Sequence, residues 1–197
     1  MTAKTEITRD DIIDMQAYGE TRAERRKAIM EVKRHRRISV GPDATLYFEN
    51  YQTMWHQVHE MLFVERGGEA QIADELSAYN PMIPKGAELV ATLMFEIDDE
   101  DRRQRVLGGL GGVERMISIS IGDETVTAVP EDDVERTNDA GKASSVHFLH
   151  FPFSAAQISK FRDPSSKVVL GIDHPTYGHM AILNEDTQQA LAEDFAD

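Results

Sequence analysis

The stretch ELVATLMFEI at residues 88–97 is a nearly continuous apolar run of strand length that includes β-branched and aromatic residues. A run of this kind predicts a buried strand. Beyond it, MISISI at residues 116–121 alternates isoleucine with serine, which predicts a strand with one face toward solvent. Their links are mostly short, so we expect largely antiparallel pairing. Further strands are predicted at residues 38–40, 45–48, 125–129, 146–153, 167–172 and 178–183.

Helix signals lie before and between these strands. Thr8 with Asp11 resembles a capping box and Gly19 suits a helix end, so a first short helix is predicted between them. A second helix is predicted from Thr21 to about Arg36. The pattern indicates an α+β fold in which a largely antiparallel sheet is covered by helices, with two helices at the N-terminus. Other helices are predicted at residues 51–66, at residues 71–78, after Asp98 and from about Asn184.

Composition limits the class of protein. Of 197 residues, 41% are hydrophobic and 28% charged, which is typical of one globular domain over residues 1–197. The sequence shows no membrane-spanning run and no secretory leader, so we expect a soluble cytoplasmic protein with no membrane partner. The absence of cysteine excludes disulfides and Cys-ligated metals. With 35 acidic and 21 basic residues, the net charge of −14 disfavours nucleic acid as a partner.

One segment departs from this acidic character. Between Thr21 and Arg37 there are eight basic residues and two acidic ones, a net charge of +6, so the rest of the chain carries −20. An apolar residue, Ile29, lies among the basic side chains on one helix face, which indicates that protein or a ligand covers part of that face. The basic stripe, spanning about a third of the helix circumference, consists of Arg22, Arg25, Arg26, Ile29, Lys33 and Arg36.

The basic stripe is open to three interpretations. Its charges pair with acidic groups of the same protein, bind an anionic ligand or partner, or are solvated. Four arginines and one lysine make up its basic members. Arginine binds carboxylates and phosphates bidentately, which favours the first two interpretations.

Two histidines of the predicted helix 51–66 are candidate metal ligands. His56 lies three positions before His59 and four before Glu60, close enough to share a metal ion. The zinc protease motif HExxH is excluded, because Phe63 occupies the position of its second histidine. The alternative is a pair of half-exposed histidines, with Glu60 bridged to the basic stripe.

Three further histidines belong to the strand region. His147 and His150 lie three apart on one predicted strand, so they point to opposite faces and cannot chelate together. Asp173 and His174 follow another predicted strand, where Asp173 would orient His174 as a base or a metal ligand. An aspartate at this position, before a proline, also suits a turn for backbone reasons alone. Both interpretations stay open.

Five segments occur in order along the chain: the arginine-rich helix leading into RRISVGP (36–42), QVHEML (57–62) with Glu65, AYNPMIP (78–84), HFL (147–149) and DHPTY (173–177). Together they resemble the bacterial domain-of-unknown-function family 3501 over nearly the full length. The family has no assigned activity. By resemblance, its pattern falls on Arg22, Arg36, Gln57, Glu60, Glu65, Tyr79, Asn80, His147, Asp173, His174 and Tyr177.

The resemblance also bears on function. Members of this family are often encoded beside rubrerythrin-like and iron–sulfur oxidoreductase genes, which implies an accessory role in redox or peroxide metabolism by association only. The family pattern has glutamine where this chain has His59, and a basic residue where it has Phe63. A metal site common to the family would therefore not depend on His59.

The leading hypothesis is one polar cluster that binds a small anionic molecule or docks a redox protein partner. Its candidate residues are those of the family pattern, with Arg25 in place of Gln57. In this hypothesis positive groups of the basic stripe meet carboxylates of the next long helix in a partly sheltered hollow. The expected contacts place Arg22, Arg25 and Arg36 against Glu60 and Glu65, with His147 or His174 nearby.

Two alternatives belong to other classes of protein. A metal-dependent enzyme would use His147, His174 and Glu60 as ligands, with an open position for substrate. A dimeric structural protein would set the basic stripe against an acidic patch of a second copy. The sequence leaves the cofactor, the metal content and the existence of a reaction open.

Overall fold

The computed structural model describes residues 4–131 and 142–196 of the chain. A 3₁₀ turn at Arg9–Asp11 comes first. The helices described are α1 (Met15–Arg34), α2 (Tyr51–Glu65), α3 (Glu69–Tyr79), α4 (Glu100–Gly108), α5 (Ala155–Arg162) and α6 (Glu185–Ala192). The strands described are β1 (Arg37–Val40), β2 (Ala44–Glu49), β3 (Glu88–Phe95), β4 (Ile117–Ile121), β5 (Glu124–Thr127), β6 (Val129–Pro130), β7 (Val146–Pro152), β8 (Val168–His174) and β9 (Tyr177–Ile182).

The strands form two antiparallel sheets. Sheet A has the order β1-β2-β3-β7-β6, and sheet B has the order β5-β4-β8-β9. The apolar run that predicts a buried strand is β3, which lies at the centre of sheet A between β2 and β7. The predicted α+β class, with antiparallel strands covered by helices, is confirmed. The strands are divided between two sheets.

The chain passes from one sheet to the other at Ala128. Strand β5 pairs with β4 in sheet B, and the N–H of Ala128 donates to the carbonyl of Ile117 at 2.9 Å. The next residue, Val129, begins β6 and pairs with His150 in sheet A. The strand predicted at residues 125–129 is therefore two strands, joined at a residue that bonds to one layer and adjoins the other.

The main hydrophobic core lies between the two sheets. Aliphatic and aromatic side chains alternate inward along the strands of both layers, as expected for sheets packed face to face. Buried side chains of α4, α5 and α6 close the core at its margins. Its almost fully buried members include Leu46, Phe48, Leu89, Leu93, Ile117, Ile119, Leu149, Phe151, Phe161, Leu170, Ile172 and Leu191.

A second hydrophobic cluster lies on the outer face of sheet A. Met54, Val58 and Leu62 of α2 pack there, together with Val90 of β3 and Phe148 of β7. α1 lies against α2. The result is a helical layer over sheet A, on the side away from sheet B. Within residues 4–131 and 142–196, no helix is both long enough and apolar enough to span a lipid bilayer.

Two helical segments precede β1, but the break between them is not where Gly19 suggests. The predicted contacts between Thr8 and Asp11 form, but the segment that begins there is the short 3₁₀ turn and not a longer helix. α1 then runs without interruption through Gly19. A Cβ atom at Gly19 would lie 2.9 Å from Cε2 of Phe63 in α2. Gly19 therefore permits a close approach of the two helices and does not end the first one.

Candidate functional site

A groove separates the C-terminal half of α1 from the N-terminal half of α2. Its volume is about 290 Å³, and its walls are mostly apolar. Ile29, the apolar member of the basic stripe, is one of the buried residues that line it. The stripe is therefore covered in part, as its composition indicates. The lining residues are Arg25, Ala28, Ile29, Val32, Tyr51, Gln52, Trp55 and His56.

Arg25 is the charged residue on the wall of this groove. Its guanidinium carbon lies 5.1 Å from the centre of the Trp55 ring, a cation–π contact. Its Nε atom donates to the hydroxyl oxygen of Thr21 at 2.8 Å. Among the residues that the structure describes, its charge has no carboxylate partner and its terminal N–H groups have no hydrogen-bond acceptor. Arg25 is held in place while its anion-binding edge stays available.

Arg22 and Glu60 join α1 to α2 beside the groove. The Nε and Nη2 atoms of Arg22 donate to the two carboxylate oxygens of Glu60 at 2.9 and 2.8 Å. The hydrogen bonds from Arg22 lower the pKa of Glu60 to about 2, although burial opposes this. The guanidinium also lies 4.9 Å from the ring centre of Phe63. This pair forms one of the predicted contacts between the basic stripe and α2, and Glu60 is ionised at neutral pH.

Tyr18 connects this ion pair to His56. The buried Tyr18 hydroxyl donates its proton to Oε1 of Glu60 at 2.8 Å. Nδ1 of His56 lies 3.3 Å from the same hydroxyl oxygen. Because that hydroxyl proton is already directed at Glu60, a hydrogen bond between Tyr18 and His56 requires the proton on Nδ1. Nε2 of a neutral His56 then carries a free lone pair.

Burial favours the neutral form of His56. The residue as a whole is 9% exposed. Burial lowers the pKa of His56; Glu60 opposes this, and Lys33, Arg26 and Arg22 add to the lowering. In the described part of the chain, Nε2 of His56 has no hydrogen-bond partner. His56 lines the groove, and Nε2 of the neutral ring is an acceptor with no partner among the described residues.

The other histidine of α2 has a structural role. Nδ1 of His59 lies 2.7 Å from the carbonyl oxygen of Trp55, and Nε2 accepts from the N–H of Ile13 at 3.2 Å. The ring stacks on Trp55 with 3.7 Å between centres. Burial lowers the pKa of His59 to about 4. Since one ring nitrogen donates and the other accepts, neither is available to a metal, and the predicted His56–His59 chelate does not form.

The chemistry of the groove follows from these groups. Arg25 offers N–H donors with a positive charge, His56 offers one uncharged acceptor, and the side chains between them are apolar. A small molecule with an anionic end and an apolar body meets complementary atoms at each point. Side chains of Glu60, Tyr18 and Arg22 support this arrangement from behind.

Arg36, expected in the same cluster, is buried elsewhere. Its guanidinium forms an ion pair with Asp194, which follows α6. It also donates to the carbonyl oxygens of Phe48 at 3.1 Å and Ala190 at 2.8 Å. Burial raises the pKa of Asp194 to about 6, against the effect of Arg36. Arg36 therefore links β2 to the C-terminal segment and does not reach the groove.

Three more predicted residues lie away from the groove. Glu65 is exposed at the end of α2, where it accepts from the side chain of Gln71 at 2.8 Å. Tyr79 ends α3 and packs on the helical-layer cluster. The amide of Asn80 forms two hydrogen bonds to the backbone of Ile7, at 2.8 and 2.9 Å. These contacts fix helix ends and the N-terminal segment.

The DHPTY segment is placed at one end of sheet B. Asp173 is exposed. Among the described residues, no hydrogen bond joins Asp173 to His174. Nε2 of His174 lies 3.4 Å from the carbonyl oxygen of Gly111. The Tyr177 hydroxyl donates to the carbonyl of Val40 at 2.8 Å and accepts two N–H groups of the β1–β2 loop at 2.9 Å. His174 and Tyr177 thus hold loops together.

The metal-enzyme alternative needs His147, His174 and Glu60 in one place, and the structure does not bring them together. His147 is fully buried on the inner face of β7, where Nε2 lies 2.9 Å from the carbonyl of Ser144. Glu60 belongs to the helical layer on the other face of sheet A. Within residues 4–131 and 142–196, no three His, Asp or Glu side chains are arranged to hold a metal ion.

Three residues that line or support the groove are absent from the predicted site: Trp55 and His56 line it, and Tyr18 contacts His56 from behind. Tyr18 lies four positions before Arg22, on the same face of α1. The helix end that the sequence predicts at Gly19 would separate Tyr18 from the basic stripe. An uninterrupted helix would have grouped the two. Helical spacing predicts a core position for Trp55 and a metal pair for His56, since this spacing does not distinguish a core face from the wall of a groove.

Comparisons with known proteins agree with this fold. A family model described as "Protein of unknown function (DUF3501)" matches residues 6–195. A similar solved structure is the crystal structure of a novel protein of unknown function from Burkholderia pseudomallei K96243. It is 35% identical, with a TM-score of 0.89, and the match covers 96% of this chain and 99% of that chain. No curated protein matches the chain.

Proposed function

This chain belongs to the DUF3501 family of proteins of unknown function, and we propose that it binds a small organic anion in the groove between α1 and α2. One observation carries the proposal. Arg25 is oriented by Thr21 and Trp55, yet its terminal N–H groups have no acceptor among the described residues. A guanidinium held beside an apolar groove suits a carboxylate attached to an apolar body.

The size of the groove limits the ligand. Its volume of about 290 Å³ lies at the lower end of small-molecule sites. An engineered cavity of about 150 Å³ accommodates benzene. A monocyclic aromatic acid or a short branched-chain acid would therefore fill the groove, with its ring or chain against Ile29, Val32 and Tyr51.

The chain contains its own probe for this binding. Trp55 is the single tryptophan, and it lines the groove in contact with Arg25. We expect benzoate to change the Trp55 fluorescence in a saturable manner. Replacing Arg25 with alanine removes charge-assisted hydrogen bonds worth about 1.5–3 kcal/mol, so Arg25→Ala should weaken benzoate binding by about 10- to 100-fold. Calorimetric titration provides a second measurement that does not depend on the environment of Trp55.

Arg26→Ala is the matched control, because Arg26 is the neighbouring arginine on α1 and is exposed. It should bind benzoate like the wild-type protein. Benzamide, which has the ring without the charge, should bind weakly to all three proteins. The proposal fails if no monocyclic or short-chain acid binds saturably, or if Arg26→Ala weakens binding as much as Arg25→Ala.

A redox protein partner and a homodimer stay predictions. For either, the exposed part of the basic stripe would meet acidic groups of another molecule, and the complex would weaken as salt is raised. Light scattering at low and high salt tests the homodimer. The anion-binding proposal is favoured because the groove provides an apolar surface next to Arg25, which contact through surface charge alone does not require.

A further inference from the structure

We propose that the ligand of this groove is a hydroxylated organic acid, whose hydroxyl group donates a hydrogen bond to Nε2 of His56 while its anionic group is held by Arg25. The inference rests on the proposed function and specifies its ligand class. Arg25 and His56 line the same cavity of about 290 Å³, from α1 and α2 respectively. One small molecule can therefore contact both.

The orientation of the His56 ring is set from behind. Arg22 binds both carboxylate oxygens of Glu60, Glu60 accepts the Tyr18 hydroxyl at 2.8 Å, and the Tyr18 oxygen lies 3.3 Å from Nδ1 of His56. Oε1 of Glu60 accepts from both Arg22 and Tyr18, and each donated proton in this series is used once. The end of this chain of contacts is a lone pair on Nε2, and the neutral imidazole can only accept there.

Burial gives this acceptor its selectivity. His56 is a nine-tenths buried residue that lines the groove, and its unpartnered nitrogen loses a hydrogen bond to water when an apolar ligand covers it. A ligand with a correctly placed hydroxyl replaces that bond. A site built to hydrogen-bond a hydroxyl discriminates against the analogue that lacks one, because the buried polar group is then left unpaired.

Tyr18 and Glu60 are positioning residues in this arrangement. Neither lines the groove, and both act through the tautomer of His56. The charged groups that influence His56 are Glu60 on its own helix and Arg22, Arg26 and Lys33 on α1. Burial is the main reason that the pKa of His56 is lowered and the neutral ring favoured; Glu60 opposes this effect, and the three basic groups add to it.

The first experiment compares benzoate with 2-, 3- and 4-hydroxybenzoate by calorimetry on the wild-type protein at pH 7.5. At least one hydroxy isomer should bind about three- to tenfold more tightly than benzoate, as one additional neutral hydrogen bond allows. The corresponding methoxybenzoate, which cannot donate, should lose this gain. In His56→Phe the gain should disappear while benzoate still binds.

The outcomes separate the two proposals. If benzoate binds through Arg25 but no hydroxy isomer gains affinity, the hydroxyl inference is overturned and the anion site stands. A gain that persists in His56→Phe likewise overturns it. If neither benzoate nor any hydroxybenzoate binds, the anion site itself is wrong.

The second experiment does not depend on any ligand or on the folding of His56→Phe. Nitrogen-15 NMR of the imidazole rings distinguishes the two neutral tautomers of histidine. His56 should carry its proton on Nδ1 in the wild-type protein, and Tyr18→Phe should shift the population toward the Nε2 tautomer. A purely structural role for Tyr18 would leave the tautomer unchanged. Finding Nε2 protonated in the wild-type protein contradicts the proposed acceptor.

Discussion

Arg36 and Asp194 form a buried ion pair between residues that lie 158 positions apart in the sequence. Both side chains are almost inaccessible to solvent, and the carbonyls of Phe48, Ala190 and Glu49 also accept from the guanidinium. The pair joins the start of sheet A to the segment after α6. The partners of the guanidinium are groups of the protein itself, so a structural role follows.

Removing Arg36 should be strongly destabilising. Arg36→Met leaves Asp194 buried without its partner, and breaking a buried pair in this way costs about 3–5 kcal/mol. Urea unfolding followed by circular dichroism measures the loss. Arg37→Met, at the exposed next position, serves as the control; it removes one cation–π contact with Tyr47 and should change stability by less than about 1 kcal/mol. Equal effects of the two substitutions would contradict the role assigned to Arg36.

The environment of His150 predicts that the stability of the protein falls as the pH is raised. Nδ1 lies 3.0 Å from Glu88 and Nε2 lies 3.5 Å from Glu131, which follows β6. The hydrogen bond to Glu88 raises the pKa of His150, against burial and with the help of Glu131. The stabilisation of the fold by protonated His150 is complete below about pH 6.5, the pKa of histidine in the unfolded chain. It is lost as the pH rises through the raised pKa of His150 in the folded protein. In His150→Gln the urea midpoint should vary less over this range, and an unchanged profile would rule out this contribution.

The burial of His59 predicts that stability depends on pH with the opposite sign. Burial lowers the pKa of His59 to about 4, below its unfolded value of about 6.5. Between these values the unfolded chain binds more protons, so stability should fall as pH is lowered from about 6.5 to about 4. The urea midpoint of His59→Gln should depend less on pH there. An NMR titration that places the His59 pKa near 6.5 would refute the prediction.

Gly19 tests the contact between α1 and α2. Alanine at this position gains about 1 kcal/mol of helix propensity, but its Cβ would lie 2.9 Å from the Phe63 ring, which must shift. We expect Gly19→Ala to be nearly neutral and Gly19→Leu to destabilise the protein by about 1–3 kcal/mol through overpacking. Gly108→Leu is a control, because no atom lies within 4 Å of a Cβ at that helical glycine. Thermal unfolding of the variants gives the comparison.

Much of the fold could be predicted because hydrophobic periodicity is local. β3 and β4 were recognisable from a few consecutive residues each, and their burial patterns agree with the sequence pattern. α5 was missed. It spans eight residues with one buried side chain, Phe161, so its periodic signal is short. The Ser154–Gln157 capping box at its start was the available sign.

The site was predicted only in part, for reasons of geometry. The contact of Arg22 with Glu60 follows from opposite charges on two consecutive long helices. The partner of Arg36 could not be deduced, because no local pattern connects it to Asp194. A helix end assigned to Gly19 for its conformational freedom concealed Tyr18, although the glycine is there for close packing. A glycine suits a helix end because its backbone is flexible, and it suits a contact between two helices because it has no side chain. Gly19 has the second role.

The crossing at Ala128 has a consequence for how the chain is assembled during translation. The β4–β5 hairpin can form as soon as it leaves the ribosome, since its strands are separated only by the Gly122 turn. Val129 has to wait, because its pairing partner is His150, which is synthesised later. Until β7 is synthesised, the edge of β3 that pairs with it has no strand partner, so the nascent sheet A has an open edge over that interval.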